Sequence, residues 1–141
     1  MDAIDRAILS RMREDARVSF RDLGDAVGLS ANAVAERVRR LVASGTIRRF
    51  RTEVDPAADG LRLAAFVDLR LAPGTAAATF EAALRKLAGV VSATLTTGRF
   101  DYTLRVAVAD EPALVALIEA LRARGAADTY SRIILRETPF V

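Results

Sequence analysis

A chain of 141 residues that is 52% apolar can bury a core as one ordinary domain or two small ones, and is too apolar for wholesale disorder. It holds no Cys and no His, which removes disulfides, thiol nucleophiles, imidazole bases and nearly every zinc site. The net charge of +3 is unevenly placed: residues 1–52 carry 11 Arg against 7 acidic residues, whereas residues 53–141 carry 10 basic against 11 acidic. A basic first third points to a nucleic-acid partner. No apolar run approaches the roughly 20 residues of a membrane span. The start, Met1-Asp2-Ala3-Ile4-Asp5-Arg6, is charged at once and lacks a signal-peptide core, so a cytoplasmic protein is expected.

A first helix is expected from Asp2 to about Asp15, with Ile4, Ile8, Leu9 and Met12 as its apolar stripe and Asp2 and Asp5 at the favourable dipole end. Ser19-Phe20-Arg21-Asp22 reads as a capping box opening a second helix that turns Phe20, Leu23 and Val27 inward. Gly28 ends that helix and Leu29 follows as a buried pin. Ser30 is placed to cap a third helix, whose apolar residues Val34, Val38 and Leu41 recur at helical spacing until Gly45 ends it. Helix, glycine turn, helix is a helix-turn-helix, with the third element as the recognition helix.

On the polar side of that helix, Asn32 and Glu36 lie one turn apart, with Arg37, Arg39 and Arg40 beyond. Amides and carboxylates suit base edges, and guanidinium groups suit guanine and phosphates. A wet amphipathic surface fits this helix alone equally well. On the DNA reading, Asn32, Glu36 and Arg39 face bases, and Ala31 and Ala35 share that surface. Ser30, Arg37, Arg40, Arg48, Arg49 and Arg51 hold phosphates. Arg37 lies somewhat off the Asn32–Glu36 line, so bracing the domain is its other role. Thr46 to Val54 reads as a short strand or wing, and Asp55-Pro56-Ala57-Ala58-Asp59-Gly60 as the linker.

The second half alternates element types. A strand is expected over residues 62–71, then the turn Ala72-Pro73-Gly74 and a helix capped by Thr75 that runs to about Leu87, with Phe80, Ala83, Leu84 and Leu87 inward. A strand follows over 89–95, a turn over 97–101, and a strand over 102–108 with clear period two. Asp110 caps a helix with Pro112 in its first turn and Leu114, Leu117, Ile118 and Leu121 on its core face. The last strand is expected within Thr129–Phe140, centred on Ile133-Ile134-Leu135. The order βαββαβ makes a ferredoxin-like α+β sheet with both helices on one face. The first strand is apolar on both alternating sets, so the uncovered face is expected to pair with a second copy as an obligate dimer.

Both halves together resemble the Lrp/AsnC family, the leucine- and asparagine-responsive "feast/famine" transcription regulators. Four places carry the resemblance: Asp2-Ala3-Ile4-Asp5-Arg6-Ala7-Ile8-Leu9; Val27-Gly28-Leu29-Ser30 followed by Glu36-Arg37-Val38-Arg39-Arg40-Leu41 and Gly45-Thr46-Ile47; Thr97-Gly98-Arg99-Phe100-Asp101-Tyr102; and the terminal strand. It spans essentially the whole chain. It implies a winged helix-turn-helix domain over residues 1–54, and a ferredoxin-like (RAM-type) domain over 61–141 for effector sensing and oligomerisation.

By resemblance, the protein dimerises, stacks dimers into tetramers or octamers, and bends or wraps double-stranded DNA. No cofactor or metal is implied. An amino-acid effector would bind between dimers, lined by Gly98, Arg99, Phe100 and Asp101, with Thr129, Ser131 and Arg132 nearby. Backbone N–H groups at Gly98 and the Arg99 guanidinium suit a carboxylate, and Asp101 an ammonium. Plain hairpin geometry explains Gly98 and Asp101 as well. Departures are Ala31 and Ala33, where the family often has Pro, and Arg99, where it commonly has Asp or Asn.

Two other readings differ in class. One is an effector sensor or co-assembly partner with weak DNA affinity. The other is an enzyme, since some proteins resembling this family decarboxylate haem precursors; that chemistry leans on His, which this chain lacks. The expectation is a regulator, not an enzyme.

Overall fold

A computed structural model describes residues 1–52 and 54–138. The chain forms two compact units that divide at about residue 53. Residue 53, within the expected wing, and residues 139–141, at the end of the expected last strand and of the 61–141 domain, lie outside the described residues. Among the described residues no helix is long and apolar enough to cross a membrane.

The first unit holds three helices: α1 (Ala3–Glu14), α2 (Phe20–Val27) and α3 (Ala31–Ala43). A reciprocal capping box starts α1. Asp2 accepts the Asp5 N–H at 2.8 Å, and Asp5 accepts the Asp2 N–H at 3.0 Å. At α2 only half of the expected box forms. Ser19 Oγ accepts the Asp22 N–H at 3.1 Å, but its own proton goes to the Asp22 carboxylate at 2.6 Å. Ile8, Leu23, Val34 and Val38 close the core, with Ile4, Met12, Val18, Val27, Leu29 and Ile47 packed around it.

Two expectations fail here. Phe20 is exposed, because it opens α2 and overhangs a core already closed one turn later by Leu23. Residues 46–52 form no strand among the described residues. The Ile47 N–H instead donates to the Leu41 carbonyl at 2.9 Å, which folds Ile47 back as the apolar clasp of the α3 C-terminus. The expected linker is a single 3₁₀ turn, Pro56–Asp59, capped by the Asp55 side chain.

The second unit runs β1 (Leu63–Leu71), α4 (Ala77–Leu84), β2 (Val90–Leu95), β3 (Tyr102–Val108), α5 (Glu111–Arg122) and β4 (Ala126–Ile133). The sheet order is β2-β3-β1-β4, antiparallel throughout. Alternation sorts the faces. Ala65, Val67 and Leu69 of β1, with Tyr102, Leu104 and Val106 of β3, meet Phe80 and Leu84 of α4 and Leu114, Leu117 and Leu121 of α5 in one core. The α+β, ferredoxin-like expectation therefore holds. Asp110 caps α5 by accepting the Ala113 N–H at 2.9 Å.

Helix α4 is shorter than expected. Ala76 stands at its N-cap without a side-chain bond, while Thr75 lies against Gly125. The last strand lies earlier than its most apolar stretch. Pairing with β1, from Leu71↔Ala126 to Ala65↔Ile133, fixes β4, and Leu135 is 95% exposed. Main-chain register outweighs local apolarity here.

Candidate nucleic-acid interface and effector end

The glycine turn sets how α3 follows α2. Gly28, at φ 70°, ends α2, and the Leu29 N–H donates to the Gly24 carbonyl at 3.0 Å. Ser30 caps α3 by accepting the Ala33 N–H at 3.2 Å. At about 100° per residue, Asn32, Glu36 and Arg39 form one narrow stripe opposite Val34, Val38 and Leu41, and all three are exposed. Ala31 and Ala35 leave low ground beside the stripe. Glu36 and Arg39 are ion-paired with each other while more than half of each side chain stays in solvent. Arg40 is exposed on the flank.

Arg37 behaves differently from the other arginines. Its guanidinium reaches Asp2 at 2.7 Å and Asp5 at 2.8 Å, and its side chain is only 20% exposed. These carboxylates titrate below the usual range because each accepts a cap N–H from the other residue and then a bond from Arg37. Arg37 is correspondingly held more firmly protonated by the hydrogen bonds it donates to Asp2 and Asp5. It braces α3 against the start of α1, the other role its position off the Asn32–Glu36 line allows. Arg48, Arg49 and Arg51 are exposed beside Phe50, along a groove of about 750 Å³ floored by Leu9, Met12 and Ile47.

The β2–β3 turn supplies the other candidate site. Gly98 sits at φ 115°, where a side chain would be strained. The Arg99 guanidinium lies 5.2 Å from the Phe100 ring centre, and Phe100 stacks on Tyr130 of β4 at 6.4 Å. Arg70 donates to the Arg99 carbonyl at 3.0 Å. Asp101 is engaged: its Oδ2 accepts the Leu71 N–H at 2.8 Å, and its N–H donates to the Leu69 carbonyl at 2.9 Å. It thus continues the β1–β3 ladder past its last residue pair, bonding β1 and not its own turn.

The turn does not gather all its expected partners on one side. Thr129 and Ser131 pair with Leu69 and Val67 and so take the helix face; Thr129 Oγ1 accepts from Arg122 at 3.0 Å. Arg132 lies on the opposite, open face, bonded to Asp68 at 2.8 Å with its guanidinium over the Phe66 ring. Asp68 also accepts from Thr103 at 2.6 Å, and Arg105 grips Glu137 through two bonds. Tyr130 and Arg70 are the residues at this end that the sequence reading missed. Tyr130 was legible only through alternation, standing between Thr129 and Ser131. Among the described residues no group of three acidic residues could hold a metal.

The chain matches the AsnC-type helix-turn-helix domain over residues 1–42 and the Lrp/AsnC ligand binding domain over residues 64–139. It is 35% identical to the leucine-responsive regulatory protein of Salmonella typhimurium, over 97% of this chain and 86% of that one. Among solved structures it is similar to Bacillus subtilis LrpC (TM-score 0.89, 27% identity, covering 99% of this chain and 97% of that one). It is also similar to a feast or famine regulatory protein of M. tuberculosis complexed with L-methionine (TM-score 0.92, 32% identity, covering 99% and 95%). With both halves matched in order, and with a recognition helix and an antiparallel sheet built as described, the chain belongs to the Lrp/AsnC family of DNA-binding transcription regulators.

Proposed function

We infer that this regulator binds DNA through the Asn32–Glu36–Arg39 stripe and is controlled by an amino acid or related small molecule at the Gly98–Phe100 turn. The carrying observation is the stripe itself: three base-reading side chain types in solvent, opposite the core, flanked by Arg40 and followed along the chain by the exposed Arg48, Arg49 and Arg51 for phosphates. Residues 1–54 serve as the DNA-binding domain and residues 61–141 as the sensing and assembly domain. A second copy covers the open sheet face around Phe66, and dimers associate further into tetramers or octamers. The molecule works in the cytoplasm, on chromosomal DNA. The amino-acid reading draws support from the relative solved with L-methionine.

A gel-shift with the fragment upstream of the protein's own gene, with and without a panel of amino acids, tests both halves of this reading. Arg39→Ala is expected to cost about 1–3 kcal/mol on the cognate site alone, whereas Arg48→Ala weakens all sequences and flattens the salt dependence. Equal losses on cognate and random DNA would reduce Arg39 to a phosphate contact. A retarded band that no amino acid alters would leave a regulator without this effector.

A further inference from the structure

A carboxylate on a DNA-facing helix poses a problem that points to what the helix reads. Glu36 sits in the middle of the solvent stripe, where it repels phosphates unless it has a donor to meet. The arginine one residue on cannot offset it, because Arg37 is bonded to Asp2 and Asp5. Arg39 does, through the Glu36–Arg39 ion pair, in which both groups remain largely in solvent and available to a ligand. In the major groove a carboxylate is best met by the cytosine N4 amino group, because the other amino donor, adenine N6, has the acceptor N7 beside it, which repels a carboxylate. A guanidinium finds its best acceptors in guanine O6 and N7.

We propose that Glu36 and Arg39 act as one unit that reads adjacent G·C pairs. Arg39 bonds guanine O6 and N7, and Glu36 accepts from the N4 amino group of the neighbouring cytosine. The ion pair aligns both groups before contact and cancels the charge of Glu36 against the phosphates. Asn32, one turn back on the same stripe, takes adenine N6 and N7. Asn32 and Arg39 are seven residues apart, a rise of about 10.5 Å, so the adenine lies about three base pairs from the guanine. Ala35 between them leaves the backbone free to approach. This inference rests on the reading of α3 as the base-contacting helix.

Selection from a randomised duplex pool by the full chain tests it. The enriched half-site is expected to hold two adjacent fixed G·C pairs, with a fixed A·T pair about three steps from the guanine that Arg39 reads. Glu36→Gln is expected to lower the preference for cytosine at one position about tenfold. Replacing the fixed guanine by 7-deazaguanine is expected to weaken wild-type binding several-fold and Arg39→Ala binding no further. Enrichment of a half-site without G·C overturns the proposal and leaves the DNA reading standing. So does a Glu36→Gln protein that binds every sequence more tightly with the cytosine preference intact. A pool that enriches no sequence overturns both.

Discussion

The carbonyl oxygen of Leu29 lies 2.4 Å from where a Cβ on Gly24 would stand. Gly24 is therefore what lets the turn after α2 close against the helix that precedes it. Gly24→Ala is expected to destabilise the first unit by about 1–3 kcal/mol, the cost of overpacking against backbone that cannot swing aside. Unfolding in urea, followed by far-ultraviolet circular dichroism, checks it. A helix-stabilising effect of alanine, as at an open helical site, would show that the turn has slack.

Acid acts on the Asp2–Asp5–Arg37 cluster in a fixed direction. Both carboxyls titrate below the ordinary aspartate value of 3.8, first because of the cap N–H groups and then because of Arg37. The unfolded chain therefore binds more protons, and stability present above pH 3.8 is lost as pH falls through the folded values. Arg37→Gln is expected to be less stable than wild type at neutral pH, and the gap is expected to narrow in acid. A gap that is constant with pH would mean that packing of the Arg37 stem, and not its charge, secures α1.

Tyr102 titrates the opposite way. Burial, and then its bond to Glu81 at 2.7 Å, push its hydroxyl up to about 12 from 10.0. The folded protein keeps a proton that the unfolded chain gives up, so this contribution is whole below pH 10.0 and is lost as pH rises toward 12. Phenolate absorbance in a Tyr130→Phe background isolates Tyr102. Tyr102→Phe is expected to cost about 1 kcal/mol at neutral pH and to remove the alkaline dependence.

Asp101 separates a structural from a ligand-holding carboxylate. Asp101→Ala leaves the Leu71 N–H without its partner, and is expected to lose about 1–3 kcal/mol in the absence of any ligand. Asp101→Asn keeps an oxygen acceptor and is expected to lose much less. Thermal unfolding of both variants without amino acids is the measurement. Unchanged stability in both would return Asp101 to ligand duty alone.

What could be read from the chain was whatever local chemistry decides. Ser30 and Asp110 cap helices, Val34, Val38 and Leu41 point inward, and β3 keeps period two, because a hydroxyl, a carboxylate or a spacing suffices for each. What could not be read depends on partners distant in the chain. The partner of Asp101 lies 30 residues away at Leu71, and the bond from Arg37 to Asp2 spans 35. The position of β4 follows from register with β1, while the apolar run at Ile133-Ile134-Leu135 pointed further on. Gly24 did carry a signal: a glycine inside an eight-residue helix is disfavoured unless something must come close.

On the open sheet face two ion pairs are closed within one chain: Arg132 on Asp68, and Arg105 on Glu137 just beyond β4. In the proposed dimer a second sheet laid on this face is not needed to neutralise them, so its grip is expected to come from shape and apolar area around Phe66. The proposed contacts of α3 and residues 48–51 with a duplex depend instead on displaced counterions. Raising ionic strength is therefore expected to strip the protein from DNA as an intact assembly, so that a wash with concentrated salt recovers the proposed oligomer and not the separated chains.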